Sequence, residues 1–310
     1  MALHTILGAN GTIATELLPV LLANKEQVRL VSRSAKPVEG TETVAADVLN
    51  AQQVRDAIKG SAVVYLLVGL QYDIKVWRAS WPVIMHNVID ACKAENAKLI
   101  FFDNVYMYGK VNGKMTEESP YHPVSKKGEV RAAIANMLLA EMKAGALQAA
   151  IARAADFYGP RCTDKSATGI LFFERLKKKQ KAQTFSNAQL PHSYTYTPDA
   201  GRALYTLAKS DLTWGQVWHL PTAAPALTSQ QFVDVAAKYM QGGNKVQVLP
   251  TWMIGVIGWF SPMMREMHEM LYQNEYAYVF DSSKFERTFN ELPTSYEQGI
   301  KETAEWFLSR

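Results

Sequence analysis

The feature that most limits how this chain can fold stands at its start, where Leu3-His4-Thr5-Ile6-Leu7 runs into Gly8-Ala9-Asn10-Gly11-Thr12-Ile13-Ala14 and then into a helical pattern. A short apolar strand, a G-x-x-G-x-x-A turn and a helix, in that order, open a βαβ unit. Gly8 permits the tight turn, Gly11 lets the backbone approach a pyrophosphate with no Cβ in the way, and Ala14 lets the helix pack close to the strand. Around Asn10, Thr12 and Ile13 the helix start offers backbone N–H groups and the positive end of a dipole to phosphates. A dinucleotide site is the expectation, with a plain tight turn as the alternative.

The alternation continues beyond that unit. Strands are predicted at Leu3–Leu7, Val28–Ser32, Thr43–Ala45, Ala62–Leu67, Lys98–Phe102 and Ala149–Ala152, with helices at Ile13–Ala23, Ala51–Lys59, Val76–Glu95 and Lys127–Lys143 between them. Strands separated by helices predict a parallel sheet covered on both faces, and the run Val63-Val64-Tyr65-Leu66-Leu67 is continuously apolar, as such burial requires. After Pro160 the rhythm changes to a basic helix near Ile170–Lys181, a helix over Pro198–Lys209, strands near Val217–Leu220 and Lys245–Leu249, an aromatic and methionine-rich helical stretch Trp252–Tyr272 broken at Ser261-Pro262, and a closing helix Tyr296–Leu308. The fold class is α/β: a Rossmann-type doubly wound sheet over residues 1–160, joined by later segments at about 195–220, with a smaller mixed substrate lobe, interleaved, over most of 161–310.

Composition narrows the function. The chain is 48% apolar and 20% charged with a net charge of +4, values of an ordinary folded domain. The run Lys177-Lys178-Lys179-Gln180-Lys181 lacks the aromatic–basic interleaving of a nucleic-acid surface and reads as a solvated helix end. Cys92 and Cys162 have no CxxC spacing, and His268-Glu269 lacks the second histidine of H-E-x-x-H, so neither a disulfide framework nor a metal site is expected. The longest apolar stretch, Trp252–Phe260, falls short of the about 18–20 residues of a membrane span, and Met1-Ala2-Leu3-His4-Thr5-Ile6-Leu7 lacks the basic n-region expected of a signal peptide. A cytoplasmic protein without nucleic-acid or membrane partners is expected.

Cofactor choice rests on the end of the second strand, Leu30-Val31-Ser32-Arg33-Ser34. An acid there would hold a ribose 2′-hydroxyl; here Arg33 stands instead, with Lys36 near, and a guanidinium fits a 2′-phosphate in charge and in fork geometry. NADP(H) is expected, with NAD(H) as the alternative if Arg33 is only a surface residue. Asp47-Val48, after the third strand, is open to two readings: an adenine contact, or an N-cap of the next helix.

With these elements in order, the chain resembles the extended short-chain dehydrogenase/reductase superfamily of sugar-nucleotide epimerases and dehydratases. Gly8–Ala14 is similar to its glycine loop, Asp47-Val48 to its adenine contact, Leu67-Val68 to the segment beside the ribose, and Asp156-Phe157-Tyr158-Gly159-Pro160 to its Tyr-Gly-Pro segment. The resemblance places Asn104, in Phe101–Gly109, where the family carries a catalytic serine. It implies a Tyr-x-x-x-Lys pair opening the next helix, but here Pro120-Tyr121-His122-Pro123-Val124-Ser125-Lys126-Lys127 puts His122 four residues before Lys126 and Tyr121 five before. Five residues turn a helix about 140° away from the lysine's face. The member is therefore atypical.

The resemblance gives Lys126 the nicotinamide ribose and leaves the proton donor open. Tyr106 is the first candidate, placed on the same side as Asn104 if the segment is extended; Tyr158, Tyr121 and His122 follow, with packing as the alternative for the tyrosines. Lys127 and Arg131, four apart on one helix face, read as solvated or paired with Glu129. Phe172, Phe173, Tyr194, Tyr196, Trp252, Trp259 and Phe260 suggest an apolar pocket lining or plain core. The leading reading is an NADP(H)-dependent reductase or dehydrogenase of a small carbonyl or hydroxyl compound. The alternatives are a sugar-nucleotide epimerase or dehydratase, and a cofactor-binding sensor without chemistry. A homodimer is the superfamily's habit.

Overall fold

The computed structural model describes residues 2–34, 36–163, 166–259 and 261–310. Two compact units form, each from several stretches of chain: Met1–Met107 with Lys127–Arg153 and Ala200–Trp218, and Tyr108–Lys126 with Ala154–Asp199 and His219–Arg310.

The first unit is built on one seven-stranded sheet. Its strands are β1 (Leu3–Leu7), β2 (Gln27–Ser32), β3 (Thr41–Ala45), β4 (Val63–Leu66), β5 (Lys98–Asp103), β6 (Ala149–Arg153) and β7 (Gln216–His219), in the spatial order β7-β6-β5-β4-β1-β2-β3. The order reverses between β1 and β4, which is where open α/β sheets form a ligand crevice beyond the carboxyl ends of the strands. Pairing from β3 through β6 is parallel, with Leu7 level with Val31 on one side and Leu66 on the other. Central β4 and β6 are buried along their whole length, whereas β3, at the edge, buries none of its residues and carries Glu42.

Helices α1 (Thr12–Ala23), α2 (Ala51–Ile58), α3 (Ile74–Glu95), α4 (Lys126–Lys143) and α5 (Thr197–Lys209) connect these strands. Local signals set their ends. Asp73 caps α3 by accepting from the Lys75 N–H at 2.7 Å, and Asn96 ends it in the left-handed region at φ 52°. The stretch predicted near Val217–Leu220 is β7, at the sheet edge beside β6.

The second unit packs α6 (Ser229–Met240) and α7 (Tyr296–Leu308) around an aromatic core that includes Tyr158, Phe173, Phe232 and Phe307. Short two-stranded pairs surround it, among them Asp156–Tyr158 with Tyr194–Tyr196 and Ala182–Phe185 with Val246–Leu249, both parallel. The basic helix is shorter than predicted: a wide turn at Gly169–Phe173 leads to Glu174–Lys177, Lys179 turns left-handed at φ 55°, and Lys181 leads into a strand. The expected break in the aromatic stretch falls between Thr251–Gly258 and Pro262–His268, where the Ser261 hydroxyl accepts from the Met264 N–H. Among the described residues no helix is long and apolar enough to cross a membrane.

Candidate active site

The glycine turn begins where β1 ends. The Gly8 N–H donates to the Val31 carbonyl at 2.9 Å and the Gly11 N–H to the Gly8 carbonyl at 2.9 Å, folding the turn over β2. Gly8 sits at φ +96°, and a Cβ there would lie 2.8 Å from the backbone of Leu67 and Val68. Sterically, then, the turn lies directly on the chain leaving β4, and only glycine combines that approach with that backbone angle. Gly11 caps α1 with no side chain, and the first helical turn holds no acid. Thr12 and Ile13 bury their side chains, so they offer only backbone at this end of α1. Such a bare helix start beside a backbone cradle fits a dinucleotide pyrophosphate.

Around it, the Asn10 side-chain amide donates to the Ser32 hydroxyl and to the Ser34 hydroxyl, both at 3.3 Å, while Arg33 and Lys36 are exposed. The two readings of Asp47 separate. Asn50, not Asp47, caps α2, accepting from the Gln53 N–H at 3.0 Å, and the Asp47 carboxylate accepts from the Leu49 N–H at 3.0 Å. The Val48 carbonyl accepts from Asn87 at 3.0 Å, which ties this corner to α3.

Beyond β5 the expected extended segment does not continue. The Asn104 carboxamide accepts from the Tyr106 N–H at 3.1 Å, and Tyr106–Tyr108 forms a 3₁₀ turn. A side-chain-capped turn replaces strand alternation here, so the argument that put Tyr106 on the Asn104 side fails. Tyr106 instead stacks on Trp77 with centroids 6.3 Å apart.

Lys127 and Arg131 also depart from expectation, because the face of α4 that carries them is buried. Arg131 donates through Nε to Asp103 at 2.7 Å and through Nη2 to the same oxygen, and it lies 4.5 Å over the Trp81 ring. Asp103 also faces Arg153 Nε at 3.4 Å. Lys127 is fully buried with its Nζ 4.6 Å over the ring of Tyr72. Sequence reasoning did not single out Tyr72, Asp103 or Arg153. The available signal was the aromatic spacing Tyr72…Trp77…Trp81, which faces two cations four residues apart.

Tyr121, His122 and Pro123, in the second unit, precede Lys126, the residue at which α4 starts. Lys126 is exposed and its backbone N–H donates to Glu269 at 3.0 Å. Tyr121 meets Tyr108 edge-on at 5.9 Å, and His122 is exposed. Tyr158 lies in the aromatic core, completely buried among Tyr196, Phe232 and Tyr296, and burial pushes its phenol well above the ordinary value. With no solvent access, this phenol is part of the packing of the aromatic core. Phe172, Phe173, Tyr194 and Tyr196 are core as well. Trp252 and Trp259 point outward, 69% and 82% exposed, because Ile254 and Gly258 occupy the buried side of their helix. Phe260 lies outside the described residues.

A family model described as the NAD-dependent epimerase/dehydratase family matches residues 4–217, which holds the glycine turn, β5 and α4. The chain belongs to the NAD-dependent epimerase/dehydratase family.

No curated protein matches the chain in sequence. Solved structures do match over its whole length. UDP-glucose 4-epimerase of Thermus thermophilus, in complex with NAD, is 18% identical with a TM-score of 0.79 over 99% of each chain. dTDP-glucose 4,6-dehydratase of Bacillus anthracis, in complex with NAD, is 14% identical with a TM-score of 0.83, covering 100% of this chain and 97% of that one. UDP-glucuronic acid 4-epimerase of Bacillus cereus, also with NAD, is 17% identical with a TM-score of 0.80, over 99% and 98%. At these identities the likeness carries the fold. Membership of the epimerase/dehydratase family agrees with the resemblance seen in the sequence and with a nicotinamide-dependent enzyme. It favours the epimerase/dehydratase alternative over the small-carbonyl reductase that was the leading reading.

Proposed function

We propose that the protein binds NADP(H) in preference to NAD(H) in its first unit and acts on a nucleoside-diphosphate sugar by epimerase- or dehydratase-type chemistry. The observation that carries this is the glycine turn pressed on Leu67-Val68, which leaves the start of α1 bare for a pyrophosphate. Gly8, Asn10, Gly11, Thr12 and Ile13 form the phosphate cradle, Asp47 and Val48 the adenine end, and Leu67 and Val68 the ribose side. Arg33, exposed beside Ser32 and Ser34 with no acid at that strand end, supports the 2′-phosphate. Bound there, the nicotinamide would supply a hydride acceptor and donor, and the second unit would carry the substrate lobe.

Titration of protein fluorescence with NADPH and NADH tests the cofactor. NADPH is expected to bind at least about tenfold more tightly, the scale of one charge-assisted contact pair, and Arg33→Ala should erase the difference; tighter NADH binding would overturn the Arg33 assignment. Product analysis with UDP-glucose and dTDP-glucose tests the substrate class. Turnover of simple ketones or aldehydes but of neither nucleotide sugar would return the small-carbonyl reading.

A further inference from the structure

We infer that Tyr72 is the phenol that exchanges the substrate's proton and that Lys127 poises it, an inference that rests on the hydroxyl-oxidising chemistry proposed above. Four residues before Lys126 and Lys127 stand His122 and Pro123, so neither lysine has a phenol at the Tyr-x-x-x-Lys spacing. In the first unit two half-buried tyrosines flank the Trp77 indole: Tyr72 meets it edge-on at 5.7 Å and Tyr106 stacks on it at 6.3 Å. Both follow the carboxyl end of a central strand, β4 and β5 respectively, which is the ligand edge of an open parallel sheet.

Tyr72 differs from Tyr106 in its neighbour. The Lys127 ammonium lies 4.6 Å from the Tyr72 ring centroid and is carried, fully buried, on the first turn of α4. The backbone that presents Tyr72 is also held: Trp77 Nε1 donates to the Gln71 carbonyl at 3.0 Å, the Asp73 N–H donates to it at 2.8 Å, and Asp73 caps α3. A positive charge this close favours the ionised form of an acid. The Tyr72 phenolate would take the proton of a substrate hydroxyl while the adjacent C–H electron pair leaves as hydride to the oxidised nicotinamide and a C=O bond forms. The reverse step returns both, so no outside oxidant is consumed.

Ligand-free protein labelled with ¹³C at tyrosine Cζ tests the pairing without any substrate, with Tyr72→Phe identifying the resonance. The Tyr72 signal is expected to titrate about one pH unit or more below its position in Lys127→Met, and Lys127→Arg to keep the low value. Titration at the same pH in wild type and Lys127→Met overturns the pairing. Should Lys127→Met not fold, Tyr72→Phe decides. With NADP⁺ bound and UDP-glucose as probe, it should slow the appearance of reduced-nicotinamide absorbance by about a hundredfold while NADPH affinity stays unchanged; wild-type speed overturns the role. Absence of NADPH binding to wild type would instead count against the functional reading, and the tyrosine titration keeps the two failures apart.

Discussion

Gly8 shows how much one residue can carry. Its φ of +96° and the 2.8 Å approach of any Cβ to the Leu67 and Val68 backbone leave no room for a side chain. Gly8→Ala is expected to cost about 1–3 kcal/mol of stability through backbone strain and to abolish tight dinucleotide binding; urea melts and fluorescence titration check both. His4 makes a different demand. Buried in β1, it bonds Tyr65 at 2.9 Å, and burial lowers its pKa against the opposing pull of Glu26. Because the folded state holds this proton less tightly than the unfolded chain, stability is full above the unfolded value of about 6.5 and falls as pH drops below it. Urea midpoints should therefore decline from pH 7.5 to pH 5.5, with a flatter slope in His4→Gln; an equal slope would place the proton load elsewhere. Asp281 acts in a lower window. Burial would raise its pKa, but the Ser283 hydrogen bonds and Lys114 outweigh burial and hold it at about 2, so its contribution is lost only as pH falls from about 4 towards 2.

At the scale of elements, caps and periodicity account for what could be predicted. α6 opens on a capping box in which the Thr228 hydroxyl accepts from the Gln231 N–H at 3.1 Å and the Gln231 side chain accepts from the Thr228 N–H at 2.9 Å. Thr228→Ala should cost about 1 kcal/mol, measured as a shift in urea midpoint with an unchanged slope. The pattern T-x-x-Q was present in the sequence, yet α6 was not predicted. Its apolar side, Phe232, Val233, Ala236 and Met240, finds its partners in α7 and the aromatic core, far along the chain. The Thr251–Gly258 helix shows the reverse. Two tryptophans suggested a pocket, but the buried stripe runs through Ile254 and Gly258 instead, and composition alone does not say which side of a helix turns inward.

For the whole molecule, the proposed function makes a thermodynamic prediction: NADPH at a hundredfold excess over its dissociation constant should add about 2.7 kcal/mol to the stability of the protein, seen as a raised melting temperature that Gly8→Ala loses. The seven-stranded sheet and its cradle were largely legible in advance, because β1 to β6, the glycine turn and the helix between them follow from residues adjacent in the chain: apolar runs, a turn that demands glycine, caps at fixed offsets. Lys126 and Lys127 mark where that legibility stops. They are neighbours of one residue type, yet one is exposed and the other lies fully buried over Tyr72, a residue 55 positions earlier. Tyr158 is the same case, a tyrosine in a familiar motif whose burial depends on Phe232 and Tyr296. The sequence by itself determined the sheet and the glycine turn, since local backbone geometry writes those. Which lysine, which tyrosine and which aromatic face are available for chemistry was decided only by the tertiary structure, because burial and charge pairing arise between residues that the chain keeps far apart.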